Sequence, residues 1–371
     1  MDRRKFQKRL LDWYGAHGRP LPWRQSHDPY SIWISEIMLQ QTTVAAVIPY
    51  FERFMARFPT VQALASAPEA DVLKHWEGLG YYSRARNLHK AAQLLVERHG
   101  GTFPRDAEQL LALPGIGRYT AGAIASFAFD LPAPIVEANT QRLYARLTGY
   151  DGELKSAAGQ KVLWGFAEEI VDCKTPGLIN QAVMELGSLV CRPLNPACDN
   201  CPVAAHCVAY RESRQHEIPL AGARLVITPQ SDATLLLEHE GKLFLRQREK
   251  PERWAGLWDF PRYTLPEEVV GKGEAAYPLE LASYVREQLG WTPPRPTMFS
   301  RLTHGVTRYR ITLHAYWCEL APGVSKAKTS AAIAHLGSQG KWYSTTELDA
   351  LAVPVTTRKL IHQWQKLNAM S

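Results

Sequence analysis

Two hydrophobic periods divide the chain. Up to about residue 210, apolar positions recur three and four apart, as in Phe6, Leu10, Trp13 and Tyr14 and again in Leu88, Ala92, Leu95 and Val96. That spacing lays an apolar stripe along one face of an α-helix. The breaks are short and centred on glycine or proline: Gly78-Leu79-Gly80, Gly100-Gly101 and Leu113-Pro114-Gly115-Ile116-Gly117. From 211 to 225 the sequence turns polar and loses its period, as an interdomain linker does. Beyond it the pattern shortens to strand-like runs, Ala233–Leu237 ending near His239, Leu243–Arg246 and Tyr309–Tyr316, with a helix expected from about 277 to 289. The expected architecture is multidomain: an all-α domain over 1–210, a linker over 211–225 and an α+β domain over 226–371.

With 371 residues the chain exceeds the size at which one core usually stops growing, which agrees with two domains. Hydrophobic residues make up 46% and charged residues 21%, a globular composition. No apolar run approaches the roughly 18 residues of a membrane span, and the charged start Asp2-Arg3-Arg4-Lys5 leads into no signal-like segment. A cytoplasmic monomer without membrane contact is expected. The net charge of +7 favours a polyanionic partner, because lysine and arginine that neutralise phosphates release condensed counterions, but many basic proteins never meet nucleic acid.

Cys191, Cys198, Cys201 and Cys207 are spaced C-x6-C-x2-C-x5-C, among Pro193, Pro196 and Pro202. Without export signals, disulfides are disfavoured. Zinc sites favour two short pairs, whereas one short pair with unequal outer spacings better suits a cubane, so a 4Fe-4S cluster in the loop 191–207 is expected ahead of zinc or free thiols. Cys173 and Cys318 stand alone and read as small buried residues.

Asp106 can cap a helix over 107–112, and a second helix follows from Arg118 after Leu113-Pro114-Gly115-Ile116-Gly117. This is a helix-hairpin-helix pattern. Gly115 and Gly117 would let backbone amides approach a phosphate, and the second helix would present its positive end to it. A tight turn with only a structural role fits the same residues. The hairpin together with the four cysteines resembles the endonuclease III superfamily of base-excision glycosylases. Leu21-Pro22-Trp23-Arg24, Ser35-Glu36-Ile37-Met38-Leu39-Gln40-Gln41-Thr42, Gly78-Leu79-Gly80-Tyr81-Tyr82 and Asn180-Gln181-Ala182 resemble, within it, the MutY adenine glycosylases.

The resemblance implies a helical fold with its active site in a cleft, and double-stranded DNA with 8-oxoguanine:adenine or guanine:adenine pairs as partner. Glu36 interrupts the nearly apolar run Ile32–Leu39, where burial would favour a protonated carboxyl suited to protonating a ring nitrogen of adenine, and the family's acid matches it. Glu137 stands where the family has an aspartate that stabilises positive charge on the sugar, and Ala138 where glycine is usual. Asn139 is expected to cap the helix that follows. Bifunctional relatives place a lysine where this chain has Tyr119, so the resemblance implies monofunctional hydrolysis, with Tyr119 orienting the carboxyls. It further implies that Gln41 and Tyr81 wedge into the duplex, that Leu79 supports the gap, and that Arg19, Trp23, Arg24 and Gln181 line the adenine pocket.

In the second half, Trp254-Ala255-Gly256-Leu257-Trp258-Asp259-Phe260-Pro261-Arg262 and Arg286-Glu287-Gln288-Leu289-Gly290 resemble a MutT-like (Nudix) fold. Gln288 replaces one of the two acids that such hydrolases use to hold magnesium, so binding rather than hydrolysis is expected. The family reads 8-oxoguanine there through a phenylalanine-serine-histidine loop; Val306-Thr307-Arg308 stands at that place, leaving Thr307 and Arg308 as the candidate contacts. Two other readings stay open. One is a mismatch-binding homologue with weak catalysis, motivated by Glu137; the other is a glycosylase with a changed base or lesion preference, motivated by Val306-Thr307-Arg308.

Overall fold

The computed structural model describes residues 2–220, 226–290, 292–320 and 340–368, so residues 221–225 of the expected linker lie outside the described residues. The chain divides into two compact units: Met1–Ala67 with Ser83–Ala223, and Pro68–Tyr82 with Arg224–Ser371.

The first unit is helical. It holds α1 (Arg3–His17), α2 (Pro29–Leu39), α3 (Val44–Arg57) and α4 (Val61–Ser66), and the second unit's first piece supplies α5 (Glu69–His75). The first unit resumes with α6 (Ser83–His99), α7 (Ala107–Leu111), α8 (Arg118–Phe129), α9 (Ala138–Thr148), α10 (Ala157–Val171), α11 (Pro176–Leu189) and α12 (Val208–Arg211). Local chemistry starts these helices: Asp28, Thr60, Asp106 and Ser156 each accept a backbone N–H of the first turn, and Pro29 and Pro176 sit where a missing N–H costs nothing. Helix α2 is buried all round from Tyr30 to Met38 and packs on α3 and α8. A helix apolar on every side belongs at the centre of its unit. At the other end a core of Phe6, Leu10, Leu143, Tyr144, Ile179, Val183 and Leu186 joins α1, α9 and α11.

The second unit is α+β. Its strands are β1 (Thr228–His239), β2 (Lys242–Gln247), β3 (Trp258–Asp259), β4 (Arg262–Thr264), β5 (Thr297–Val306), β6 (Tyr309–Glu319) and β7 (Lys341–Tyr343). Helices α13 (Glu267–Gly271) and α14 (Tyr277–Leu289) precede β5, and α15 (Thr345–Ala350) and α16 (Val355–Asn368) close the chain. The main path runs β3-β2-β1-β6-β5; β1 pairs with β6 in parallel from Thr228↔Tyr309 to Glu238↔Glu319, and β5 with β6 antiparallel. The unbroken apolar run of β1 reflects burial on both faces. Leu235 and Leu237 meet Leu281 and Val285 of α14, whereas Leu236 meets Leu360 and Trp364 of α16.

Candidate active site

A cavity of about 440 Å³ opens within the helical unit, lined by Glu36 and Leu39 of α2, Tyr119 of α8, Glu137, Asn139, and Gln181 and Glu185 of α11, with Arg19, Trp23 and Arg24 on the segment after α1. Glu36 is 4% exposed and accepts a hydrogen bond from the Tyr119 hydroxyl at 2.5 Å. Burial raises its carboxyl to about 7; the Glu137 charge adds to the rise, while the Tyr119 bond and the Arg24 charge oppose it. Tyr119 is itself pushed well above the ordinary phenol value, first by burial and then by the two glutamates, so it stays a donor. The pair is therefore a buried acid near half-protonation at neutral pH, steadied by a neutral phenol.

Glu137 approaches this pair because the segment before it lies against α8. A Cβ on Gly122 would fall 2.3 Å from the Pro134 carbonyl oxygen, so only glycine permits the approach. Glu137, and not Asn139, is the cap of α9. Its Oε2 accepts from the Asn139 N–H at 2.8 Å and its Oε1 from the Thr140 N–H at 2.9 Å, while its own N–H donates to Thr140 Oγ1 at 2.8 Å, a capping box with the roles held by glutamate and threonine. The longer side chain of glutamate is taken up by folding back onto the helix end. Burial still raises its carboxyl above the ordinary value against those two bonds and Arg142. Asn139 sits inside the first turn, where its Oδ1 accepts from Arg142 Nη2 at 3.0 Å.

Glu185 was not anticipated from the sequence. Its side chain is fully buried, and it accepts from Arg19 Nη2 at 3.1 Å and Arg24 Nη2 at 2.9 Å. Burial opposes its ionisation, but the bonds and charges of Arg19 and Arg24 outweigh that and hold the carboxyl below its usual value. Gln181, Met184, Glu185 and Ser188 follow helical spacing and share the cavity wall, so Gln181 alone could have pointed to the others. Tyr14 donates to Gln181 Oε1 at 2.7 Å, which turns the amide nitrogen of Gln181 away as the donor end. Trp23 is 5% exposed and meets Phe51 edge-on.

The remaining expected residues lie at the cavity rim or away from it. Gln41 borders the cavity with a backbone φ of 58°, in the left-handed region that non-glycine residues seldom adopt. In the hairpin, Gly115 has φ +79° and faces Asn87, whereas a Cβ on Gly117 would meet no atom, leaving the start of α8 open to an approaching group. Leu79 and Tyr81 belong to the second unit: Leu79 is buried, and Tyr81 is 46% exposed with φ 47°. Thr307 and Arg308 are exposed in the β5–β6 turn, Thr307 with φ 51°, its hydroxyl donating to the Val306 carbonyl, and Arg308 donating to the Tyr309 hydroxyl at 3.0 Å. Behind this turn, Arg262 bonds Asp232 at 2.8 Å and donates to His304 Nε2 at 3.2 Å. Burial and the Arg262 charge lower His304 to about 4, so it is neutral.

The loop 191–207 corrects the expectation of a 4Fe-4S cluster. Cys191, Cys198, Cys201 and Cys207 border one small hollow beside Arg146, but among the described residues no three of His, Cys, Asp and Glu form a group able to hold a metal ion. Two of the four sulfurs meet Arg146: Cys207 donates to its carbonyl oxygen at 3.3 Å, and Arg146 Nη1 donates to Cys191 Sγ at 3.3 Å. Burial raises the thiols of Cys198 and Cys207 above their ordinary value and that of Cys201 to about 12. All six cysteines are free of disulfides. Arg146 holds the loop by donating to the carbonyls of Arg192 and Ile218, each at 2.8 Å. The expected 4Fe-4S cluster is therefore not indicated among the described residues.

Comparison with known proteins adds three findings. Residues 34–166 match the HhH-GPD superfamily of base excision DNA repair proteins, and residues 233–363 match the NUDIX domain. The adenine DNA glycosylase of Buchnera aphidicola subsp. Acyrthosiphon pisum (strain APS) is 37% identical over 71% of this chain and 76% of its own, and that of Homo sapiens is 33% identical over 97% and 74%. A solved thermostable thymine-DNA glycosylase superposes with a TM-score of 0.52 and 30% identity, covering 57% of this chain and 97% of its own. Among the described residues no helix is long and apolar enough to cross a membrane.

Proposed function

Because the chain belongs to the adenine DNA glycosylases of the HhH-GPD base-excision superfamily, we propose that the cavity between Glu36, Tyr119 and Glu137 hydrolyses the N-glycosidic bond of adenine mispaired with 8-oxoguanine or guanine. The observation that carries this reading is Glu36: a buried carboxyl raised to about 7 and bonded to a phenol is a proton donor poised at neutral pH. A base must leave the duplex to reach it, with Gln41 and Tyr81 as wedges and Leu79 behind them. Once extruded, the adenine meets Trp23 on the wall and the fixed array of Glu185, Arg19, Arg24 and the Gln181 amide. An ionised carboxylate accepts from an exocyclic amine, and guanidinium and amide groups donate to ring nitrogens.

Glu36 then gives its proton to a ring nitrogen, turning the base into a better leaving group. Positive charge grows on the sugar, and Glu137, oriented by the N–H groups of Asn139 and Thr140, is the carboxylate that stabilises it. Tyr119 cannot form the Schiff base that a lysine would, so water completes the reaction and leaves an abasic site in an uncut strand. The hairpin around Gly115 and Gly117 holds a phosphate independently of sequence. Thr307 and Arg308 read the base opposite adenine.

Duplexes carrying each mismatch, incubated with the protein and sized with and without hot alkali, test this reading. Cleavage at adenine that requires alkali, faster opposite 8-oxoguanine and guanine than in a paired control, is expected. Cleavage without alkali would exclude monofunctional hydrolysis, equal rates opposite every base would exclude recognition through Thr307 and Arg308, and binding without release would favour the mismatch-binding reading.

A further inference from the structure

The loop Gly78–Tyr82 and helix α5 ahead of it interrupt the helical half in sequence, yet they are bound to the end of the chain. Arg358 of α16 grips Glu77 with two parallel bonds, Nε to Oε1 at 2.8 Å and Nη2 to Oε2 at 3.1 Å, and each side chain is only 13% exposed. The same guanidinium donates to the carbonyls of Leu348 at 2.8 Å and Leu351 at 2.6 Å, so one planar group ties the segment just after α5 to α15 and α16. The Tyr82 hydroxyl reaches the Val353 carbonyl at 3.5 Å, on the other flank of Tyr81. Between these ties lies a cavity of about 200 Å³ whose walls include Gly78, Gly80 and Tyr82, the His304–Val306 end of β5, and Val355, Thr356 and Lys359 at the start of α16. The loop bearing Tyr81 and the strand leading into the Thr307 turn thus share one packed body.

We propose that Arg358 is a positioning residue for the Tyr81 loop: its paired bonds to Glu77 make that loop move with the β5–β6 hairpin, so that binding of the opposite base at the hairpin sets where Tyr81 enters the duplex. The inference rests on the reading of Tyr81 as a wedge. A salt bridge that only stabilised the fold would also be two-pronged and mostly buried. What favours positioning is its place, one residue before Gly78 and four before the half-exposed, left-handed Tyr81, at an ion pair linking 68–82 to 224–371. Glu77→Gln breaks the link while Arg358 keeps its bonds to Leu348 and Leu351; it also ends the Lys74–Glu77 pair at 3.2 Å, which Lys74→Met removes alone as the control.

The test uses the full chain and duplexes with 2-aminopurine in place of adenine opposite 8-oxoguanine, guanine or thymine, whose fluorescence rises on extrusion. Glu77→Gln is expected to lower the melting temperature, because Arg358 loses a mostly buried partner, and to keep the duplex Kd, yet to slow extrusion by about ten- to a hundredfold opposite 8-oxoguanine, with a smaller effect opposite thymine. The double variant Tyr81→Ala with Glu77→Gln should be no slower than Tyr81→Ala alone, since the link acts through that residue. If Tyr81→Ala is slow but Glu77→Gln extrudes like wild type, or if the two effects multiply, the positioning role is overturned while the wedge stands. If Tyr81→Ala extrudes normally, the wedge reading falls and the proposal with it.

Discussion

Replacing Glu36 with glutamine separates what this carboxyl does for chemistry from what it costs the fold. Its value rises from 4.5 to about 7, first through burial. At about 1.4 kcal/mol per pKa unit, the ionised residue weakens the helical unit by about 3 kcal/mol relative to a side chain that never ionises. The sign follows from proton uptake. Below 4.5 the folded and unfolded chains both hold the proton and no penalty exists; between 4.5 and about 7 only the unfolded chain gives it up, so stability falls as pH rises; above about 7 the full penalty is present. Glutamine keeps an acceptor for Tyr119 and carries no charge. Urea unfolding of the wild type and Glu36→Gln near pH 4 and pH 8 should therefore show the variant gaining about 3 kcal/mol between the two conditions, on the order of 10 °C in melting temperature, while adenine release is lost at both. A stability difference that does not change between those two conditions would refute a buried Glu36 that resists ionisation.

Three further outcomes follow from the same geometry. Glu137→Asp should keep the α9 cap, as Asp28 and Asp106 do for their helices, but withdraw the carboxylate by about 1 Å and slow single-turnover release by about ten- to a hundredfold; a faster variant would mean that glutamate is a handicap here. Tyr119→Phe removes the bond that favours ionised Glu36, so the high-pH limb of the rate profile should move to higher pH, and an unmoved or lowered limb would show that the bond does not bear on the acid. Glu185→Gln strips Arg19 and Arg24 of a fully buried partner and should destabilise the helical unit by about 3 kcal/mol, an effect present above the ordinary carboxylate range and fading as pH falls through the lowered Glu185 value; urea unfolding at two pH values checks both.

Much of this was legible in the sequence because it is local. The change from helical to strand-like spacing, the Asp106 cap and the helix Tyr277–Leu289 each depend on a few neighbouring residues. Glu36 was visible because a carboxyl in an apolar run has few other uses. What stayed hidden depends on distant partners. Glu185 looks like an ordinary helical acid until Arg19 and Arg24, more than 160 positions away, close on it. Asn139 is the better cap by intrinsic preference, but the approach of 134–137 to Gly122 places Glu137 at the helix end first. Periodicity likewise says nothing of α5 belonging with Arg358. Cysteine spacing suggested a shared cluster, but spacing does not fix thiol direction; among the described residues no group able to hold a metal ion forms, and Cys191 and Cys207 bond Arg146.

The central claim is that a buried, protonated Glu36 drives adenine release, and the pH dependence of the chemical step tests it most directly. Free adenine is measured under single turnover, with the protein saturating over an 8-oxoguanine:adenine duplex. The rate constant should be level on the acid side and fall tenfold per pH unit above about 7. A rate constant level to about pH 9, where such an acid would be about one percent protonated, would contradict it.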